Sequence, residues 1–222
     1  MSFAEIGLGK LLKAFYADPA TRRRMLLDDI RKEIRKASAV RVGTGGDFYG
    51  PFWADAKAHV SGRLNLRLAT AGRILENDGR SRLYTMLEAG FLLWWEEKRR
   101  QRNEQFTIIE STVKARINLP NLGTIKIENT LCFTVGLDAH RIVYPYFSDE
   151  VVLPEEGARI GLWIMSKGID QFSLRDMRIL DLIQARSFSV ADTPLTGNEE
   201  SIFASKYAET LTEWNTLRVR IP

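Results

Sequence analysis

Carboxylates, one thiol and clustered cations are the side chains of this sequence with chemistry to offer. Glu128, Asp138, Asp149, Glu150 and Asp181 fall in or beside stretches rich in β-branched and aromatic residues, where acids at strand ends can converge on a divalent cation. With two histidines, one cysteine and no His-x-x-x-His or Cys-x-x-Cys spacing, a zinc site of the usual Cys/His kind is excluded. Cys132 and His140 flank one expected turn and could pair as nucleophile and base. Leu131 and Phe133 bracket Cys132 in an expected strand, however, so a small buried hydrophobe is the better reading of the thiol.

Cations form the strongest signal. Arg22, Arg23, Arg24, Arg31, Lys32, Arg35 and Lys36 lie in one helical stretch, and Lys98, Arg99, Arg100 and Arg102 end another. Binding a phosphate backbone requires several cations on one surface, from which counterions are released on contact. Arg24, Arg31 and Arg35 stand at i, i+7 and i+11, so a helix places them on one face. Asp28, Asp29, Glu33, Glu96 and Glu97 interleave and can neutralise neighbours three or four positions away, which makes a solvated helix surface the competing reading.

Residues 43–53 are dense in glycine and aromatics. The glycines lack a following Lys-Ser/Thr pair, so this is no phosphate-binding P-loop. Phe48, Tyr49, Phe52 and Trp53 could stack on bases or receive a partner's side chain. Equally, they could plug the helical layer. A second aromatic run, Tyr144-Pro145-Tyr146-Phe147, holds a proline that cannot donate to a central ladder, which predicts an edge or a strand end.

The elements that must position these groups follow from periodicity. Apolar spacing predicts helices over 3–16, 19–38, 65–76 and 81–102, with Asp18-Pro19 as a cap and Asn77-Asp78-Gly79 as a break. A short helix ends near Val60. Residues 112–147 read as an antiparallel meander of three strands with turns at Pro120-Asn121-Leu122-Gly123 and at Gly136-Leu137-Asp138-Ala139. Pro154 with Glu155 and Glu156 opens a helix that Lys167-Gly168 ends, apolar nearly all round and so buried against the sheet. Residues 175–183 alternate like a strand while Ser173 to Asp176 resembles a helix cap; a strand is expected there, a short one over 187–190, and a closing helix over 198–217.

Over residues 81–183 the expected order of helix, three antiparallel strands, helix and strand is similar to the core of the PD-(D/E)xK nuclease superfamily. That resemblance implies a metal-binding acid at the start of the second core strand, and an acid and a lysine two residues apart on the third. Glu128 matches the first acid. The third strand, His140-Arg141-Ile142-Val143-Tyr144-Pro145-Tyr146-Phe147, contains neither acid nor lysine. Asp55-Ala56-Lys57 and Glu96-Glu97-Lys98 match the acid-x-lysine letters but lie in expected helices. The order is also similar to RNase H-like folds, whose first strand carries an Asp that residues 114–118 lack.

At 222 residues and a net charge of +4, the chain has the hydrophobic and charged content of a globular protein. Charge is uneven, with 20 basic against 14 acidic side chains up to Glu110 and 12 against 14 beyond it. The single cysteine, the N-terminal sequence and the absence of an apolar run near ~18 residues together predict a cytoplasmic protein that does not enter a membrane. The expectation is one α+β unit over 1–222, with a helical part over 1–105 and an α+β part over 106–222: helices packed with a small, mostly antiparallel sheet and a C-terminal helix. In function the sequence points to a non-catalytic accessory protein, without metal or cofactor, that contacts DNA, RNA or an acidic partner through its basic helices. The alternatives are a degenerate PD-(D/E)xK-like nuclease centred on Glu128, or a subunit docking onto a larger protein through its aromatic segments.

Overall fold

A break at Asn129 sets the architecture. The computed structural model describes residues 5–37, 48–101, 106–109, 113–119, 123–136 and 139–220. In chain order they form β1 (Glu5–Gly7), α1 (Leu8–Tyr16), α2 (Pro19–Ala37), α3 (Tyr49–Val60), α4 (Leu66–Glu76), α5 (Ser81–Gln101), β2 (Phe106–Ile108), β3 (Ala115–Leu119), β4 (Gly123–Ile127), β5 (Leu131–Val135), β6 (Ala139–Tyr146), α6 (Glu155–Gly168), β7 (Met177–Asp181), β8 (Arg186–Phe188) and α7 (Glu199–Val219). The fold is α+β, as expected, but the meander is two hairpins in two sheets. Asn129 takes φ 63, a left-handed conformation that asparagine tolerates, and separates β4 from β5. The hairpin β3–β4 joins β1 in a sheet of order β1-β4-β3, while β5–β6 lies in a sheet of order β2-β5-β6-β7-β8. A second correction concerns the N-terminus: Glu5–Gly7 is a strand parallel to β4, and helix begins only at Leu8.

Alternation along the large sheet builds two cores. Cys132, Ile142, Tyr144, Tyr146, Met177 and Ile179 face the layer of α1, α2, α6 and α7. Leu131, Phe133, Val143, Leu180 and Leu182 face α3 and α5. Between parallel β6 and β7 the chain crosses over through α6. That helix meets both sheets, Gly161 lying against Ile179 of β7 and Gly168 against Ile117 of β3. Contact on both sides is why its sequence is apolar nearly all round.

Local signals hold where they are local. Asp18 accepts from the N–H groups of Ala20 and Thr21 at 2.9 and 3.0 Å and starts α2 at Pro19. Asn65 caps α4 in the same way. The strand expected over 175–183 forms as β7, and the cap-like Ser173 opens only a 3-10 turn at Leu174–Asp176 that leads into it. Of the two positions expected for Pro145, the sheet edge is not found, because β6 is the central strand, but the strand end is, since Pro145 is the last residue but one of β6. Leu182 donates its N–H to the carbonyl of Tyr146 at 3.1 Å, so Tyr146 and Tyr144 bond towards β7 and Pro145 faces the other way. β5 pairs no further than Val143 on that side, so the missing N–H leaves no ladder bond unmade. Asp138, Arg102 and the glycines at 43–46 lie outside the described residues.

Candidate nucleic-acid interface

The helical period sorts the charges of α2 into inner and outer groups. Leu26 and Ile30 are buried against α1 and α7. Arg22 turns inward with them: its guanidinium donates to Glu209 and Glu213 of α7, each at 2.7 Å, and its side chain is only 15% exposed. It therefore clamps two helices together and belongs to no outer surface. Asp29 is buried and ion-paired with Lys10 of α1, and Glu33 pairs with Arg218 of α7 at 3.4 Å. Two acids placed by sequence to neutralise the basic face are thus spent on neighbouring helices.

The outer group is Arg23, Arg24, Arg31, Lys32 and Arg35, all exposed. Asp28 is the acid that remains beside them, 3.6 Å from Arg31. Arg24 donates to Glu150 at 2.5 Å, and Glu150 also accepts from Lys13 at 2.8 Å. Lys13, and then Arg24, hold the Glu150 carboxyl below the usual carboxylate range. This partner lies 126 positions from Arg24, and no sequence signal points to it. The side chain of Lys36 lies outside the described residues, as do those of Lys98, Arg99 and Arg100. The helices bearing the two basic clusters are separated: α5 packs with α3 on one face of the large sheet, α2 with α1 and α7 on the other.

The aromatic segments fold inward and onto each other. Phe52 and Trp53 are 1% and 2% exposed, in the core with Phe91 and Leu87. Tyr49 stacks on Phe147 with ring centres 5.0 Å apart, and the Trp53 indole N–H donates to the carbonyl of Asn129 at 2.5 Å. The Tyr84 hydroxyl donates to the carbonyl of Phe48 at 2.7 Å. Tyr144 and Tyr146 are buried, the first accepting from the N–H of Gly9 and the second donating to the carbonyl of Val151, both at 2.8 Å.

The acids are dispersed. Glu128 is exposed just after β4, 3.9 Å from Arg116. Asp149 pairs with Arg82 at 3.0 Å. Asp181 is buried and accepts from the N–H of Leu153 at 3.0 Å and of Gln184 at 3.4 Å, bracing the loop before α6 and the turn between β7 and β8; burial pushes its carboxyl up. Asp55 holds Arg73 at 2.9 and 3.2 Å, and Lys57 is half-buried, with its ammonium pushed down by desolvation. Among the described residues no three His, Cys, Asp or Glu side chains form a group able to hold a metal ion, and no helix is long and apolar enough to cross a membrane. Cys132 is buried, its thiol donating to the Thr130 hydroxyl at 3.4 Å; His140 stands opposite Thr134 and packs on Phe172. Set against protein-family models, curated proteins and solved structures, the chain matches none.

Proposed function

We propose that the protein is a non-catalytic accessory factor that binds nucleic acid through the outer face of α2. The observation that carries this reading is the sorting of charge on that helix: Arg23, Arg31, Lys32 and Arg35 are exposed, while Asp29 and Glu33 turn inward to Lys10 and Arg218. Arg24 is exposed as well but shares Glu150 with Lys13. A helix holding Arg23, Arg31 and Arg35 at i, i+8 and i+12 tracks phosphates without reading bases, so affinity rather than sequence preference is expected.

Four phosphate contacts correspond to a slope of log affinity against log salt of about −3.6 on duplex DNA and about −2.8 on a single strand. Fluorescence anisotropy of labelled single- and double-stranded DNA and RNA, titrated across salt, measures this. The double variant Arg31→Glu/Arg35→Glu is expected to lose most of the affinity and to flatten the slope by about 2. Absence of binding at low salt, or an unchanged slope in the double variant, removes the proposal and leaves α2 as a surface for an acidic protein. Adding Mg²⁺ to the bound complex tests the nuclease alternative, with Glu128→Ala as the variant that must abolish any cleavage.

A further inference from the structure

β2 is an edge of the large sheet and pairs on one side only, with β5. Register decides which backbone groups that edge leaves open. Ile109 donates its N–H to the carbonyl of Cys132 at 2.9 Å, continuing the ladder in which Thr107 stands opposite Thr134. Bonding residues alternate along an antiparallel strand, so Thr107 and Ile109 face β5 while the N–H and C=O of Phe106 and Ile108 point away from it. Among the described residues nothing pairs with those four groups.

An open cleft of about 510 Å³ runs along this edge, between β2 with Trp95 on one side and the end of α3, His59, Ser61 and Gly62, on the other. Phe106 and Ile108 pack on the same face of the sheet as Leu131, Phe133 and Trp95, so the cleft prolongs the α3–α5 core beyond the last strand. The cleft is lined by all three residues of β2, a length of roughly 10 Å at about 3.3 Å per strand residue.

We infer that this slot takes a short extended peptide from a partner, added as a further strand beside β2. Its chemistry follows from the register. Peptide residues opposite Phe106 and Ile108 bond to them and turn their side chains into the cleft beside Trp95; the residue between them lies opposite exposed Thr107 and faces water. The ligand is an apolar-x-apolar segment with a polar or β-branched middle residue. The α3 turn stands beside this edge, which favours a flexible segment over the β2 edge of a second folded copy, since that edge carries the same wall.

Fluorescence polarisation tests this with labelled peptides of the form Lys-Ser-Leu-Thr-Leu-Ser-Lys, the two leucines varied over Leu, Ile, Val and Phe. Saturable binding is expected for at least one, weakened tenfold or more by N-methylation of both apolar residues, by serine at both, and by Ser61→Trp, which narrows the cleft. Ile108→Pro provides an independent variant, since it deletes an outward N–H on an edge strand without touching the β5 ladder, and the same weakening is expected at unchanged circular dichroism. Failure of every peptide to saturate, or equal binding after N-methylation, overturns the inference. A concentration-dependent dimer abolished by Ile108→Pro overturns it too, by giving the edge to a second copy.

Discussion

Replacing Gly90 by alanine probes the packing of α5 on the large sheet. A Cβ at that position would sit 2.0 Å from the carbonyl oxygen of Leu182, 3.0 Å from its carbonyl carbon and 3.1 Å from the carbonyl oxygen of Ile183. All three are backbone atoms just past β7, so none can rotate aside. Restoring ordinary contact at 3.4 Å would move helix and strand apart by roughly 1.4 Å. Tyr84, Leu87, Phe91 and Trp94, all buried along the same helix, would lose close packing with it. Overpacking of this kind costs about 1–3 kcal/mol, with backbone obstruction at the upper end, while the better helix propensity of alanine gives back ~1 kcal/mol. The expected net loss is about 2 kcal/mol, or ~4–8 °C in Tm for a chain of this size. Gly72 on α4 is the matched control, because a Cβ there meets nothing within 4 Å. Gly72→Ala is expected to gain up to ~1 kcal/mol. Urea and thermal unfolding followed by far-ultraviolet circular dichroism report both. Propensity alone predicts the same sign at the two sites, whereas packing predicts opposite signs. A Gly90→Ala protein as stable as the parent would refute the docking of α5 on β7.

Three further outcomes are expected. Glu150→Gln removes the acceptor shared by Lys13 and Arg24; because the folded carboxyl titrates below its unfolded value, its contribution is present above pH ~4.3 and is lost as pH falls through the folded value. The gap in urea midpoint between parent and variant, worth under ~1 kcal/mol for a partly exposed pair, should therefore close in acid. Arg22→Ala breaks the bonds to Glu209 and Glu213 and should cost about 1–2 kcal/mol in urea unfolding while leaving the salt slope of nucleic-acid binding unchanged. Cys132 is buried and burial pushes its thiol up, so a colorimetric thiol reagent should react slowly with folded protein and quickly in urea; fast reaction of the folded protein would mean that β5 is not covered.

Signals carried by neighbouring residues were readable without the structure. The helices α2, α4, α5, α6 and α7 follow from apolar spacing with Asp18, Asn65 and Pro154 at their starts, because caps and periodicity act within a few residues. The boundary at Asn129 was not, since β-branched and apolar residues continue on both sides of it and only the change of sheet distinguishes β4 from β5. β1 was missed for a related reason: three residues carry no period, and their partner is β4, more than a hundred positions away. The basic face was readable from the spacing of Arg24, Arg31 and Arg35. Its membership was not, because whether Arg22 points in or out depends on α7 supplying Glu209 and Glu213.

The charge asymmetry between the two ends of the sequence is partly spent within the molecule. Arg22 pairs with Glu209 and Glu213, Lys13 and Arg24 with Glu150, and Arg82 with Asp149, so cations of the basic stretch meet acids of the acidic one. The pairs of Arg22, Lys13 and Arg24 form because α1 and α2 pack beside α7 and the loop after β6, which brings the two ends of the chain into one layer; Arg82 reaches Asp149 of the same loop from α5. An excess of basic residues counted along a sequence therefore overstates what a polyanion meets. Among the described residues of α2, the cations outside these pairs are Arg23 and Lys32, while Arg31 lies beside Asp28 and Arg35 donates to the carbonyl of Arg31. A salt slope much steeper than that of four contacts would thus require further cations, and Lys98, Arg99 and Arg100 of α5, with Arg102 following in the sequence, are the cluster that charge reversal should test next.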